Sequence, residues 1–331
     1  MFHIKSTYQW AGLTLLTLVM AACGGRKQEV ATTAYEPVSP AFSADSAMAY
    51  IEAQCAFGPR VMNSVAHDSC EAWIQRKFES FGAAVSLQKA TLKLYDGTPV
   101  RATNIIASYK QDAPVRLLIC AHWDSRPWAD HDHDSDKHHT PIDGANDGAS
   151  GVGVMLELAR MLHDGGLDSI DVGIDFVCFD AEDCGTPSWV DDDEDHEHTW
   201  CLGSQHWSTQ PRTSGYRYGI LLDMVGGMET VFAQEYFSMR YAPRIVDKVW
   251  ATAQRLGYGD RFVYEEGGAV TDDHLPVNRS GIPCIDIIGS DKSGGSFCKT
   301  WHTMADNPQH IDRNVLKAVG QTLAEVIWKE V

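Results

Sequence analysis

The sequence predicts an α/β fold, a single domain with a central, mixed but mostly parallel β-sheet covered by helices on both faces. Short apolar runs at residues 115–120, 172–179, 218–222 and 283–288 lack the polar alternation of a half-exposed strand, as strands buried on both faces require. Segments with helical spacing alternate with these runs, the chain order of a parallel sheet wrapped by helices. Acidic and histidine side chains then follow directly after the apolar runs, where an open α/β sheet binds its ligands.

Taken in order, residues 43–57 and 67–81 place apolar side chains at helical spacing, the second closed by Gly82. Residues 84–95 and 102–109 alternate and predict a hairpin or meander. The run at 115–120 is a buried strand, and 149–163 is a helix ending at Gly165-Gly166. Strands follow at 172–179 and 218–222, then one long helix at 236–256. Strands at 262–265 and 283–288 and a closing helix at 311–329 complete the chain, with no internal repeat.

The chain has 331 residues, of which 44% are hydrophobic, enough for a substantial core. Ten Trp, 11 Tyr and 11 Phe argue against disorder. With 45 acidic against 27 basic residues the net charge is -18. That balance excludes a nucleic-acid surface, which needs clustered Lys and Arg, and adhesion to anionic lipid by charge alone.

Lys5, an uncharged stretch at 10–22 and small residues before Cys23 read as a signal peptide. The ending resembles a bacterial lipobox, although Met20 stands where Leu is more usual. That resemblance implies loss of residues 1–22, lipidation of Cys23, a tether at 23–40 and a domain at 41–331. The expected location is the periplasm or outer membrane of a Gram-negative bacterium, with membrane contact only through the lipid. Ordinary secretion with cleavage nearby is the alternative. The absence of heptads predicts a monomer.

Nine cysteines are present, and an exported protein can form disulfides. Cys184 and Cys201 bracket an acidic stretch and are the first candidate bridge, Cys55 and Cys70 the second. Cys178 is expected to be a buried thiol. No Cys-x-x-Cys pair suggests a thiolate zinc site. The Asp/His-rich stretches at 130–139 and 191–198 resemble metal-binding tracts by composition and are read as solvated surface loops.

The residues at the strand ends are His122 and Asp124, then Asp147 before a helix, then Asp180, Glu182 and Asp183. Asp223, Asp272-Asp273-His274 and Trp301-His302 follow. His and carboxylate donors without Cys suit a catalytic zinc with an open position. Asp180 is expected as a strand-end hydrogen-bonder, His274 as a structural residue at a helix start, and Asp306 as a local cap near the closing helix.

The motifs His122-x-Asp124, Gly-Ala-Asn-Asp147-Gly-Ala-Ser-Gly, Phe-Asp-Ala-Glu182-Asp183, Leu-Leu-Asp223-Met, Asp272-Asp273-His274-Leu-Pro and Trp301-His302-Thr-Met-x-Asp306 carry a resemblance. Their order resembles the zinc aminopeptidase superfamily M28 and, within it, the glutaminyl cyclases of animal type, over residues 41–331. Asp272 stands where the aminopeptidases usually have Ser, and Trp301 where they often have Tyr. Phe297 also matches the cyclases. Asp183 departs from the animal cyclases, which have Glu there.

The resemblance implies one zinc held by Asp147, Asp183 and His302. It implies Glu182 as proton carrier, supported by Asp223 and Asp272. Trp301, Phe297 and Trp189 would line the substrate pocket, with Trp200 the alternative to Trp189. His122, Asp124 and Asp273 would stand close by. The implied reaction converts an N-terminal Gln of a peptide or protein to pyroglutamate and releases ammonia. The competing reading is an aminopeptidase with two zincs, one held by His122 and Asp223, with Asp147 bridging. A binding module that has lost chemistry ranks last, because Asp147, Glu182, Asp183, Asp223 and His302 are all present.

Overall fold

The apolar runs pack as strands because each can bury both of its faces, and the alternation of side chains assigns each residue to one face. In β3 (Val115–His122), Leu117, Ile119 and Ala121 enter the larger core, while Leu118 and Cys120 enter a smaller one on the opposite side. The same split runs through β4 (Gly173–Phe179), where Ile174, Phe176 and Cys178 oppose Val177 and Phe179. The computed structural model describes residues 35–190, 196–210, 215–292 and 296–330. The signal-peptide and lipidation readings, the tether as far as residue 34 and the acidic positions 191–195 lie outside the described residues.

β1 (Ala84–Lys93), β2 (Pro99–Tyr109), β5 (Gly215–Asp223) and β8 (Cys284–Ile288) complete a six-stranded sheet of order β1-β2-β4-β3-β5-β8. The pairs β1/β2 and β2/β4 are antiparallel; β3/β4, β3/β5 and β5/β8 are parallel. The mixed, mostly parallel α/β domain is therefore as predicted. A separate two-stranded sheet joins β6 (Phe232–Gln234) to β7 (Phe262–Glu266), so the predicted strand at 262–265 lies outside the main sheet. No helix among the described residues is long and apolar enough to cross a membrane.

α1 (Ala44–Cys55), α2 (Val65–Ser80), α3 (Ala149–Met161), α6 (Pro243–Arg255) and α8 (Arg313–Trp328) send apolar residues into the larger core. Ser43 and Ser64 cap the first two, accepting the backbone N–H groups of Ser46 and His67. The single helix expected at 236–256 is two: α5 (Tyr236–Tyr241) and α6 break at Ala242, because Pro243 cannot continue a helix but suits the first turn of a new one. On the other face lie two short helices, α4 (Leu202–Ser208), absent from the sequence reading, and α7 (His274–Arg279), of which only the start at His274 was expected. They supply Trp207 and Val277 to the smaller core, and fewer than three turns leave too short a period to detect.

Two expectations need correction. The end of the presumed tether is not free: the carboxylate of Glu325 accepts the N–H groups of Val38 and Ser39, and Ser39 is buried. All eight described cysteines are free thiols. Cys184 donates to Asp124 at 3.7 Å and Cys201 to Glu182 at 3.4 Å, so the two sulfurs are engaged by different carboxylates. Cys55 points to the Asp143 carbonyl, 3.8 Å away, and does not meet Cys70.

Candidate metal centre and active site

Parallel β3, β4 and β5 end on the same edge of the sheet, which collects His122, the segment 180–183 and Asp223 in one place. Asp147 arrives on the loop before α3. That loop passes so close to β3 that a Cβ on Gly148, whose φ is +94°, would lie 2.5 Å from the Asp124 carbonyl oxygen. Arg60, wholly buried, donates to the carbonyls of Trp123, Asp143 and Gly144 and ties the loop to the strand end. Asp306 accepts the N–H groups of Asn146 and Asp147 at 2.7 and 3.0 Å. Asp306 is thus a long-range clamp on Asp147, not the local cap expected of it.

Asp124 holds the next segment in the same way, accepting the N–H groups of Glu182 and Asp183 with one oxygen each, both at 3.1 Å. Asp180 ends the strand as expected, paired with His67 at 2.9 Å and accepting the Thr103 N–H. Ala181, Met224 and His302 all take left-handed φ values of 50–54° without being glycine. Such strain persists where the surrounding structure over-determines it, and it clusters at functional sites.

Two buried triads share one carboxylate. Donor atoms of Asp147, Asp183 and His302 lie within 4.8 Å of one another, and so do those of His122, Asp147 and Asp223. His302 Nε2 is 3.0 Å from Asp183 and 3.6 Å from Asp147. His122 Nε2 is 3.0 Å from Asp147 and 3.3 Å from Asp223. Asp130 stands 3.4 Å from the other nitrogen of His302 and is itself gripped by the buried Arg126 at 2.6 and 3.1 Å. The stretch 130–139 is therefore not simply a solvated loop, because its first residue is buried and orients a site histidine. The role of Asp130 was missed in the sequence because the histidine it orients, His302, is distant in the chain, and with it the role of Arg126.

The electrostatics leave this cluster short of positive charge. Burial pushes the Glu182 carboxyl well above the usual range; His122 pulls it back, while Asp272 and Asp183 push it further up. Burial raises Asp272 to about 7, helped by the charge of Asp223. Burial and Asp147 raise Asp223 to about 6, and the same two causes raise Asp183. Asp147 goes the other way: burial opposes it, but hydrogen bonding to His122 and the two histidine charges hold it down. Against burial, Asp183 and Asp130 lift His302 to about 9. Asp183 Oδ2 is buried with no donor facing it. Carboxylates and an imidazole converging in that way, with a surplus of negative charge, fit a divalent cation such as zinc.

Beside the triads is a small recess of about 50 Å³. Trp200, Phe297 and Trp301 form its apolar side, and Glu182, Asp223 and Asp272 its acidic side. Asp273 lies behind Asp272, fully buried, and donates its N–H to Asp272 at 2.6 Å. His274 begins α7 between Glu235 and Asp286, at 3.3 and 3.7 Å. Trp189 is not in the recess. It is 38% exposed and packs against Trp128 and His139, while Trp200 stacks parallel to His302, with an interplanar angle of 11°. Gly185 allows this, since a Cβ there would fall 2.0 Å from the Trp200 ring.

The sequence profile of Peptidase family M28 matches residues 104–327. The chain belongs to peptidase family M28. It is 51% identical to a solved glutaminyl cyclase of Bacteroides thetaiotaomicron bound to N-acetylhistamine, covering 88% of this chain and 100% of that one with a TM-score of 0.85. It is 48% identical to a Zn-dependent exopeptidase of Parabacteroides distasonis, covering 88% and 100% with a TM-score of 0.83. With aminopeptidase YwaD of Bacillus subtilis it shares 28% identity over 76% of this chain and 50% of the relative. With bovine glutaminyl-peptide cyclotransferase it shares 27% over 67% of this chain and 64% of the relative. The chain thus spans between half and two thirds of these curated relatives' lengths. Its relatives include both glutaminyl cyclases and a Zn-dependent exopeptidase, and the carboxylate and histidine triads above are donor sets that suit zinc.

Proposed function

We propose that this M28 enzyme is a glutaminyl cyclase using one zinc, which closes the N-terminal Gln of peptides and proteins to pyroglutamate and releases ammonia. The observation that carries this reading is Asp272, whose carboxyl lines the recess and offers an oxygen within 4.8 Å of one on Glu182. Burial raises both carboxyls, with Asp272 adding to the rise at Glu182 and Asp223 to that at Asp272, so the pair suits the storage of a proton in transit. Cyclisation needs that store, since its protons move from the attacking amine to the leaving nitrogen without a water. The cyclases among the solved relatives support the same reading.

Asp147, Asp183 and His302 would hold the zinc, which when bound supplies Lewis acidity toward the substrate's amide oxygen. The remaining work falls to the protein's side chains. Trp200, Phe297 and Trp301 pack around the apolar part of the Gln side chain and keep water from competing. Glu182 accepts a proton from the attacking α-amine and returns it to the departing ammonia. Asp223 and Asp272 hold Glu182 and the leaving nitrogen in one carboxylate network. Nucleophile and electrophile belong to one residue, so proximity is built into the substrate.

The triad of His122, Asp147 and Asp223 favours a second reading, a two-zinc aminopeptidase in which Glu182 activates water. One incubation separates the two. With a Gln-initiated peptide, a cyclase removes the mass of ammonia, and Glu182→Gln abolishes that loss. An aminopeptidase releases free Gln and a shortened peptide, and carries two metals per chain. We further propose that lipidated Cys23 anchors the enzyme in the periplasm or outer membrane of a Gram-negative bacterium. Cell fractionation tests this, since Cys23→Ser should move the protein from the membrane to the soluble fraction.

A further inference from the structure

Among the described residues, one buried group of potential metal donors includes a sulfur. Glu182, Cys201 and Asp272 each offer a donor atom, and the three atoms lie within 4.8 Å of one another. None belongs to the triad assigned to zinc above. We propose that these residues form a second, inhibitory site for a thiophilic divalent cation, with zinc at raised concentration as its ligand. An ion bound there would withdraw Glu182 and Asp272 from proton transfer.

The donors are already arranged toward one another. The Cys201 thiol donates to Glu182 Oε1 at 3.4 Å. Asp272 spends Oδ1 on the N–H of Asp273, while its Oδ2 is buried with no donor opposite. The Asp272 residue is 3% exposed and Cys201 2%, so a cation among them would meet little competition from bulk water. One thiolate and two carboxylates are a donor set that zinc accepts. Binding exchanges the thiol proton for the cation and releases that proton to solvent, leaving no redox change to balance.

An adjoining cavity of about 200 Å³ reaches this group from the side, lined by Glu197, His198, Cys201 and Asp272 among others. Arg279 also lines it, and Glu197 and Asp272 offset that charge. An ion can thus approach Cys201 without crossing the part of the recess that Phe297 and Trp301 form. Glu197 and His198 end the acidic, histidine-rich run that the sequence singled out at 191–198. Their position on this cavity wall gives those described members of the run a role, the first encounter with the incoming ion.

The metal-binding claim stands on this geometry alone, whereas the inhibitory consequence rests on the role proposed for Glu182. The test uses the zinc-loaded wild-type enzyme. Cobalt(II), added beyond the first equivalent, should produce a sulfur-to-cobalt charge-transfer band in the near ultraviolet. Cys201→Ser and Cys201→Ala should lack that band. Turnover should fall as buffered free zinc rises, and each variant, referred to its own turnover with one zinc bound per chain, should need at least about tenfold more free zinc for half-inhibition. A wild-type enzyme that turns over normally but gives no sulfur band would overturn the proposal without requiring any variant to fold. A band without inhibition would overturn its inhibitory half. If no cyclisation occurs at any zinc level while the band persists, the functional reading fails and the metal site stands.

Discussion

Removing the metal should make the protein more stable in mild acid than at neutral pH. In chelated protein the site is a set of buried carboxyls with little cationic charge to hold them ionised. Burial is the main cause that lifts Asp272 and Asp306 each to about 7, aided by Asp223 and Asp147 respectively. An unfolded Asp titrates near 3.9. A carboxyl raised on folding binds its proton more tightly in the native state. Its contribution is therefore present at low pH and is lost as pH rises toward the folded value. Between about pH 5 and about pH 7.5, each of these two groups accounts for roughly 2–3 kcal/mol, and the pair for on the order of 5 kcal/mol.

His302, raised to about 9, acts in the same direction, since its contribution is full below about 6.5 and drains above it. The lowered carboxyls Glu325, at about 2, and Glu235 stay ionised throughout this window and cancel. At roughly 2–4 °C per kcal/mol, the melting temperature of chelated protein should fall by on the order of 10 °C across the window. Re-added zinc should restore most of the loss at the higher pH. The assay is thermal unfolding at fixed ionic strength. Chelated protein equally stable at both pH values, or more stable at the higher one, would refute the picture of the site as uncompensated carboxyls.

Further expectations follow from single contacts. Asp306→Ala leaves the Asn146 and Asp147 N–H groups without their acceptor; at about 1–3 kcal/mol each it should lower denaturant stability, and dialysis should show weakened zinc retention. Gly151→Ala would put a Cβ 2.5 Å from the Leu222 carbonyl oxygen and 2.6 Å from the Ala121 Cβ, and should cost about 1–3 kcal/mol by urea titration. Wild-type stability of that variant would show that α3 can move away from the sheet. Trp200→Ala should raise KM for a Gln-initiated peptide by about tenfold or more, the value of one buried aromatic side chain, while Trp189→Ala changes it little. Equal effects of the two would put the recess in the wrong place.

The strands carrying His122, Asp180 and Asp223 were legible because a fully buried strand writes itself locally, as an apolar run ended by a polar residue. The order of those runs then placed their ends together. The two parts of the helix at 236–256 were legible only as a sum, although Pro243 marked where the second begins. Asp306, Asp130 and Trp200 were misread or missed for a common reason. Each acts through a partner far away in sequence: Asp306 through Asn146 and Asp147, Asp130 through His302, and Trp200 through Gly185 and His302. The paired cysteines failed for the opposite reason. Their spacing suggested loops worth closing, and only the packing shows that Cys184 and Cys201 face different carboxylates.

By itself, then, the sequence determined the α/β class, the edge of the sheet where the chemistry gathers, and the identity of the carboxylates and histidines on that edge. These depend on side-chain period and on hydrophobic burial, which act over a few residues. Which of those groups share a cation, which backbone clamps fix Asp147 and Asp183, which tryptophan walls the recess, and the thiol set against Glu182 were decided by tertiary structure alone. Distances of 3 to 4 Å between residues up to 172 positions apart depend on how loops close over the sheet, and no local pattern encodes them.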